Sequence, residues 1–351
     1  MDARSTGSVI ARVAAGPETG FGHLRRSWTL ASRLAQDAVD VQFVAATADG
    51  AGILAEAGFV VAVEEHPQSL GRTLDLLRRT PSLKLCLVDD PELPAAGLAD
   101  LSACAPVVCV DDTGERDMPV DLVINGSAGA QTLAYRGLPR TQYLLGVDYI
   151  LLRREFAGVP ARPPASPEIR RVLILTGGGR GGILPRQIAE VVAEVLPCAA
   201  VDVVAGPFGG DDSPAESLPG RATWHRSPQD MRSLMLAADL AVSAGGQTLY
   251  ELAATATPTL GIRVFAHQAL NLRGLASAGC LRDLGSHTEP GFRARLAGAL
   301  AELAGDVKAR EAMGRRSREL VDGRGTERVA ARLQTLLGAA GLARESRSCA
   351  I

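Results

Sequence analysis

Short apolar runs rich in β-branched residues alternate along the chain with stretches whose apolar positions recur at helical spacing. In the first half the pattern predicts strands at Val9–Ala14, Val41–Ala46, Val60–Val63, Leu85–Asp89, Val107–Asp111 and Leu122–Ile124. Helices are expected between them, at Leu24–Ala35, Ala51–Ala57, Leu70–Arg79 and Leu93–Cys104. This βαβα rhythm is that of a parallel sheet covered on both faces. It breaks at "GVPARPPASPEIRR", Gly158–Arg171, where four prolines forbid helix and disfavour a central strand. It then restarts with "VLILTGGG" and predicts strands at Ala200–Val204, Ala222–Trp224, Leu240–Ser243, Thr259–Ile262 and Leu281–Leu284. From Pro290 to about Gly338 the pattern is helical.

The expected organisation is therefore α/β with two Rossmann-like domains. The first spans 1–157, a linker 158–171, the second domain 172–340, and a frayed tail 341–351. Two such domains place the carboxyl ends of both sheets on a cleft, where open α/β sheets take their ligands.

Composition narrows the function classes. A net charge of -2 over 351 residues gives no electrostatic footprint for nucleic acid or an anionic membrane, and 4% aromatics supply few base-stacking platforms. The N-terminus has no apolar stretch of signal-peptide type and no run is long enough to span a bilayer, so a cytoplasmic protein is expected. The six cysteines show no metal-like spacing and read as reduced thiols.

Three glycine-rich loops follow predicted strands: "TGFGH" (Thr19–His23), "TGGGRGG" (Thr176–Gly182) and "SAGGQTLYEL" (Ser243–Leu252). Glycine lets backbone N–H groups approach a phosphate, and a following helix presents its positive end. Gly20, Gly22, Gly177, Gly178, Gly245 and Gly246, with Gln247 and Thr248 beside the last pair, are thus candidate phosphate-side residues. Tight strand–helix turns need glycine anyway, but three such loops together favour a phosphate ligand. Glu251 lies about one turn into the helix after the third loop, placed to bind ribose hydroxyls. Gln268 and Asn271, in "HQALNL", are amides suited to sugar hydroxyls. His23 follows Gly20 and Gly22 at a helix start, where the dipole disfavours imidazolium and a neutral imidazole can act as a general base. Arg26, one turn on, is a candidate for phosphate contact or for orienting the loop. The strand-end pairs Asp89–Asp90 and Asp111–Asp112 either hold a metal or cap turns, and with amide dipoles available a metal-free site without a cofactor is favoured.

"GFGHLRR" resembles a G-x-G-H-x-x-R motif, and "SAGGQTLYELAATATPTLGIRVFAHQALN" resembles an A-G-G-[ST]-x-x-E…P…N-Q…N block. Both are similar to motifs of the nucleotide-sugar hydrolase of pseudaminic acid biosynthesis and its spore-coat polysaccharide relatives, and more distantly of the peptidoglycan GlcNAc transferase. The resemblance runs from about Ile10 to Val329 and implies a GT-B fold with the donor, a UDP-sugar, lying mainly on the C-terminal half. It implies that His23 activates a water, that Gly245, Gly246 and Glu251 hold phosphates and ribose, and that Gln268 and Asn271 lie near the sugar. The chain departs from the pattern at Pro91, where an aromatic is usual, at Gly179-Arg180, and at Gln247 in place of Ser or Thr. The expected function is hydrolysis of a nucleotide-activated amino or deoxy sugar. Transfer of the sugar to an acceptor hydroxyl is the alternative, and binding without turnover the third reading.

Overall fold

The computed structural model describes residues 7–14, 16, 21–66, 68–80, 82–177, 183–206 and 221–348, with backbone alone for 339–348. The chain divides into two compact units. The first comprises residues 1–126, 130–153 and 324–351, and the second 127–129 and 154–323.

In the first unit the elements run β1 (Gly7–Val13), α1 (Gly22–Ala35), β2 (Val39–Ala45), α2 (Ala48–Glu56), β3 (Val60–Val63), α3 (Gly71–Arg79), β4 (Leu83–Asp89), α4 (Ala95–Ser102) and β5 (Val107–Val110). They continue with β6 (Asp117–Met118), β7 (Leu122–Asn125), β8 (Arg136–Gly137) and β9 (Gln142–Leu145). Seven strands form one sheet in the order β3-β2-β1-β4-β5-β7-β9, and β6 pairs separately with β8. Every pairing is parallel. Central parallel strands are buried on both faces. In β1, Val9, Ala11 and Val13 enter the core shared with α1, while Ile10 enters the opposite core beside α4.

The second unit contains β10 (Arg171–Leu175), α5 (Leu184–Val195), β11 (Ala200–Ala205), β12 (Ala222–Arg226), α6 (Met231–Ala237), β13 (Leu240–Ala244) and α7 (Thr248–Ala254). After these come β14 (Thr259–Arg263), α8 (Ala269–Ser277), β15 (Arg282–Ser286), α9 (Phe292–Gly305) and α10 (Val307–Leu320). Its six strands, again all parallel, are ordered β12-β11-β10-β13-β14-β15. Each strand expected from the sequence is present, with its ends moved by a residue or two; β9 and the β6–β8 pair are additional.

Three features differ from the sequence reading. The last helix, α11 (Gly325–Ser348), belongs to the first unit, where Val329, Ala330, Leu333 and Leu337 complete the core against α1. A domain of 172–340 therefore loses its final stretch to the other unit. The same helix runs on to Ser348 through most of the expected tail. The proline-rich segment 158–171 is part of the second unit and is strapped to it by arginines. Arg162 donates to the carbonyls of Met235 and Ala238 and to Thr257 Oγ1. Arg318 donates to the carbonyls of Val159, Pro160 and Ala254. Arg310, 1% exposed, reaches the carbonyls of Leu303, Ala304, Ser166 and Pro167. The carbonyls of Val159, Pro160, Ser166 and Pro167 thus accept from arginine side chains rather than from a backbone ladder.

Arg310→Met should lower the unfolding midpoint in urea by the equivalent of about 3 kcal/mol, because four carbonyls lose a buried charged donor. A midpoint equal to that of wild type would show that water replaces it.

Candidate active site

The candidate base stands at the start of α1. Phe21 occupies the N-cap without a side-chain hydrogen bond, and a methyl added at Gly22 would meet nothing within 4 Å. Arg25 is parked on two rings, its guanidinium carbon 4.5 Å from the Phe21 centroid and 4.8 Å from that of Trp28. Gly20 lies outside the described residues.

His23 and Arg26, three residues apart on one helix face, both reach Asp89 at the end of β4. His23 Nδ1 lies 2.8 Å from Asp89 Oδ1. Arg26 donates from Nε to Asp89 Oδ2 at 2.7 Å and from Nη2 to Oδ1 at 2.7 Å, and Ser27 Oγ donates to Oδ2 at 2.9 Å. The other edge of the same guanidinium is spent on Asp112, Nη1 to Oδ1 at 2.7 Å and Nη2 to Oδ2 at 3.0 Å. Asp89 is fully buried, while His23 and Arg26 keep 13% of their side-chain surface and Asp112 keeps 25%.

These bonds settle the histidine tautomer. Arg26 Nη2 lies 3.0 Å from His23 Nδ1, but both its hydrogens are already given to carboxylates. Asp89 only accepts, so Nδ1 carries the proton and donates to it, and Nε2 is left as the basic nitrogen. Burial pushes the Asp89 carboxyl up, but the adjacent Arg26 guanidinium and His23 reverse this and hold it well below the usual carboxylate range. Asp112 is also held low by Arg26, against the upward push of desolvation.

The remaining strand-end aspartates do other work. Asp90 accepts from Arg12 Nε at 2.8 Å and from Glu92 N at 3.1 Å. Asp111 Oδ2 accepts from Thr113 N, Gly114 N and the Tyr135 hydroxyl, which is turn capping. Among the described residues no group of three or more His, Cys, Asp or Glu is placed to hold a metal ion. Sequence reasoning missed the pairing of Asp89 with His23. The available signal was an aspartate ending the strand that neighbours β1.

In the second unit the turn after β13 leads into α7. Gly245 is required by close packing, since a Cβ there would stand 2.8 Å from Gln268 Cβ and 2.9 Å from Leu272 Cγ. Gly246, Gln247 and Thr248 follow it, and Glu251 is buried in the first turn of the helix. With seven residues α7 is short, so individual turn amides matter more than a macrodipole. Gln268 Oε1 accepts from Val264 N and Phe265 N, at 2.9 and 3.2 Å. Asn271 Nδ2 donates to the Gly245 carbonyl at 3.0 Å, and its Oδ1 accepts from the Tyr250 hydroxyl at 2.6 Å. Both amides, expected near the sugar, are thus bonded to protein groups. Gly177 ends its strand region at φ +105°, a backbone that glycine adopts readily, while Gly178 lies outside the described residues.

No family model matches the chain. Over 336 residues it is 26% identical to the spore coat polysaccharide biosynthesis protein SpsG of Bacillus subtilis (strain 168), spanning 92% of this chain and 96% of that one. MurG of Acinetobacter baumannii superposes with a TM-score of 0.66 at 15% identity, over 94% of this chain and 99% of its own. The chain has the GT-B fold. The spinosyn rhamnosyltransferase SpnG, solved with thymidine diphosphate, shares this GT-B architecture at a TM-score of 0.62 and 17% identity, over 94% of this chain and 99% of its own. The likeness to SpsG supports the spore-coat side of the resemblance read from the motifs and does not extend to the pseudaminic acid hydrolase.

The lowered Asp89 carboxyl has a defined pH signature. Its stabilising charge is fully present above the ordinary aspartate value of about 4 and is lost as pH falls toward its folded value. The unfolding free-energy gap between wild type and Asp89→Asn should be largest at neutral pH and narrow below pH 4, read by urea denaturation across that range. A gap independent of pH would contradict the charged pairing.

Proposed function

We propose that the protein is a glycosyltransferase that moves a sugar from a nucleoside diphosphate to an acceptor hydroxyl, with His23 as general base. The observation that carries this is the Asp89-held imidazole, with Nε2 as its basic nitrogen, in a chain of GT-B fold. With His23 neutral, the cluster of Arg26, Asp89 and Asp112 carries one net negative charge. The proton that His23 takes from the acceptor brings that sum to zero.

In the step, the acceptor O–H gives its proton to Nε2 as its oxygen bonds to the anomeric carbon. The bond from that carbon to the diphosphate oxygen breaks, and the electron pair leaves on the diphosphate. The turn amides of Gly246, Gln247 and Thr248 are assigned to the departing charge, with Gly22 and Gly177 as further phosphate-side positions and Glu251 as the ribose partner; the Gly245 N–H, expected among the phosphate donors, is given to the Ile262 carbonyl at 3.0 Å. Arg26 is assigned to orienting Asp89, since its guanidinium is engaged by two carboxylates. Gln268 and Asn271 are assigned to shaping the turn.

The sequence reading placed water ahead of an acceptor alcohol. The likenesses favour the reverse, since SpnG is a rhamnosyltransferase crystallised with a nucleoside diphosphate, and transfer replaces hydrolysis as the reading. Among the described residues no helix is long and apolar enough to cross a membrane. The five described cysteines are free, which fits a reducing compartment such as the cytoplasm.

Purified protein incubated with UDP-, CMP- and dTDP-sugars, with and without a panel of acceptor alcohols, should release nucleotide only when an acceptor is present. Release without one is hydrolysis, and binding without release is a non-catalytic role; either outcome overturns transfer. His23→Ala should lose turnover by roughly two orders of magnitude or more, the scale of a removed general base. Glu251→Gln should weaken nucleoside diphosphate binding about tenfold, as for a lost charged hydrogen bond, by calorimetry.

A further inference from the structure

A buried polar chain in the second unit passes through Tyr250. The residue is 1% exposed, and its hydroxyl accepts from Ala128 N at 2.8 Å while donating to Asn271 Oδ1 at 2.6 Å. Asn271 Nδ2 in turn donates to the Gly245 carbonyl at 3.0 Å. Ala128 lies in Ser127–Gly129, the three-residue stretch that belongs to this unit although its flanks do not. It is closely seated there. A methyl at Gly274 would stand 2.3 Å from the Ala128 carbonyl oxygen, and Gly129, at φ +91°, lies against Leu270.

The consequence follows from peptide geometry. A trans peptide is planar, so its carbonyl and the next residue's N–H point in opposite directions. Holding the Gly245 oxygen on Asn271 therefore turns the Gly246 N–H away from Asn271. Two successive glycines have no Cβ to limit rotation, and the Gln268 and Leu272 contacts leave no room for a side chain at Gly245. The orientation of this peptide is consequently fixed by a bond from outside the turn. A rotated peptide would present a carbonyl where an anion needs a donor.

We propose that Tyr250 and Asn271 are positioning residues that set the Gly245–Gly246 peptide plane for diphosphate binding, with the Ala128 amide fixing the Tyr250 hydroxyl. This rests on the nucleotide-binding role proposed above. Asn271 then acts through a main-chain carbonyl rather than by touching the sugar.

The test compares full-length wild type, Tyr250→Phe and Asn271→Asp. Tyr250→Phe keeps the ring and removes the hydroxyl. Asn271→Asp keeps the acceptor for Tyr250 but sets an oxygen against the Gly245 oxygen. Calorimetric titration with UDP and with dTDP should show affinity about tenfold weaker for Tyr250→Phe, the scale of one hydrogen bond, and weaker still for Asn271→Asp. Amide hydrogen exchange over 243–248, without nucleotide, should be faster in both variants. Wild-type affinity and exchange in both variants would overturn the proposal, as would a lowered melting temperature with unchanged affinity, which marks packing alone. Should wild type bind neither nucleotide, the functional reading falls, while the exchange comparison still decides whether the pair fixes the turn.

Discussion

One guanidinium holds the chemistry of the first unit in place. Arg26 grips Asp89 with one edge and Asp112 with the other. Two consequences follow. The fully buried Asp89 stays ionised. Both hydrogens of Arg26 Nη2 are consumed, so the proton of His23 is directed to Nδ1. None of this works unless the amino end of α1, the carboxyl end of β4 and the carboxyl end of β5 are adjacent. The order β1-β4-β5 in the sheet supplies that adjacency, with Val13 paired directly to Asp89.

The alternation of side chains along β4 explains why two adjacent aspartates have separate fates. Leu85 and Leu87 face the core shared with α1, and Asp89 continues that face toward Arg26. Cys86 and Val88 face the other core, and Asp90 continues toward Arg12, itself fully buried. Arg12 also donates to Glu64, to the Ser69 carbonyl and to Thr73 Oγ1, the last bond tying α3 to β1. Each of these two aspartates thus faces a different arginine, as the cost of stranding a charge requires. On that second face the thiols of Cys86 and Cys109 are pushed up to about 12, chiefly by burial, which makes them filling rather than chemistry.

What the sequence made legible was local. The alternation of periods gave the strands, and the glycines before α1 and α7 marked both loops, because each signal lies within a few residues. His23 and Arg26 were readable as one helix face. Their link to Asp89 was not, because it depends on strand order, which no window of sequence contains. The roles of Gln268 and Asn271 were hidden for a related reason. An amide at a carboxyl end looks free until the groups opposite it are known, and here these are the backbone of Val264, Phe265 and Gly245 and the hydroxyl of Tyr250. The helical period of α11 was plain, but periodicity does not say which core a helix joins.

That last helix also constrains how the protein is made. The first core contains Val329, Ala330, Leu333 and Leu337, contributed only after the whole of 154–323 has been translated. A ribosome therefore delivers every strand of the first sheet well before the piece that seals it. Until then, Leu24, Leu30 and Leu34 of the nascent chain wait with their lid still unsynthesised. The second half can finish folding first, and the order of completion runs opposite to the order of synthesis.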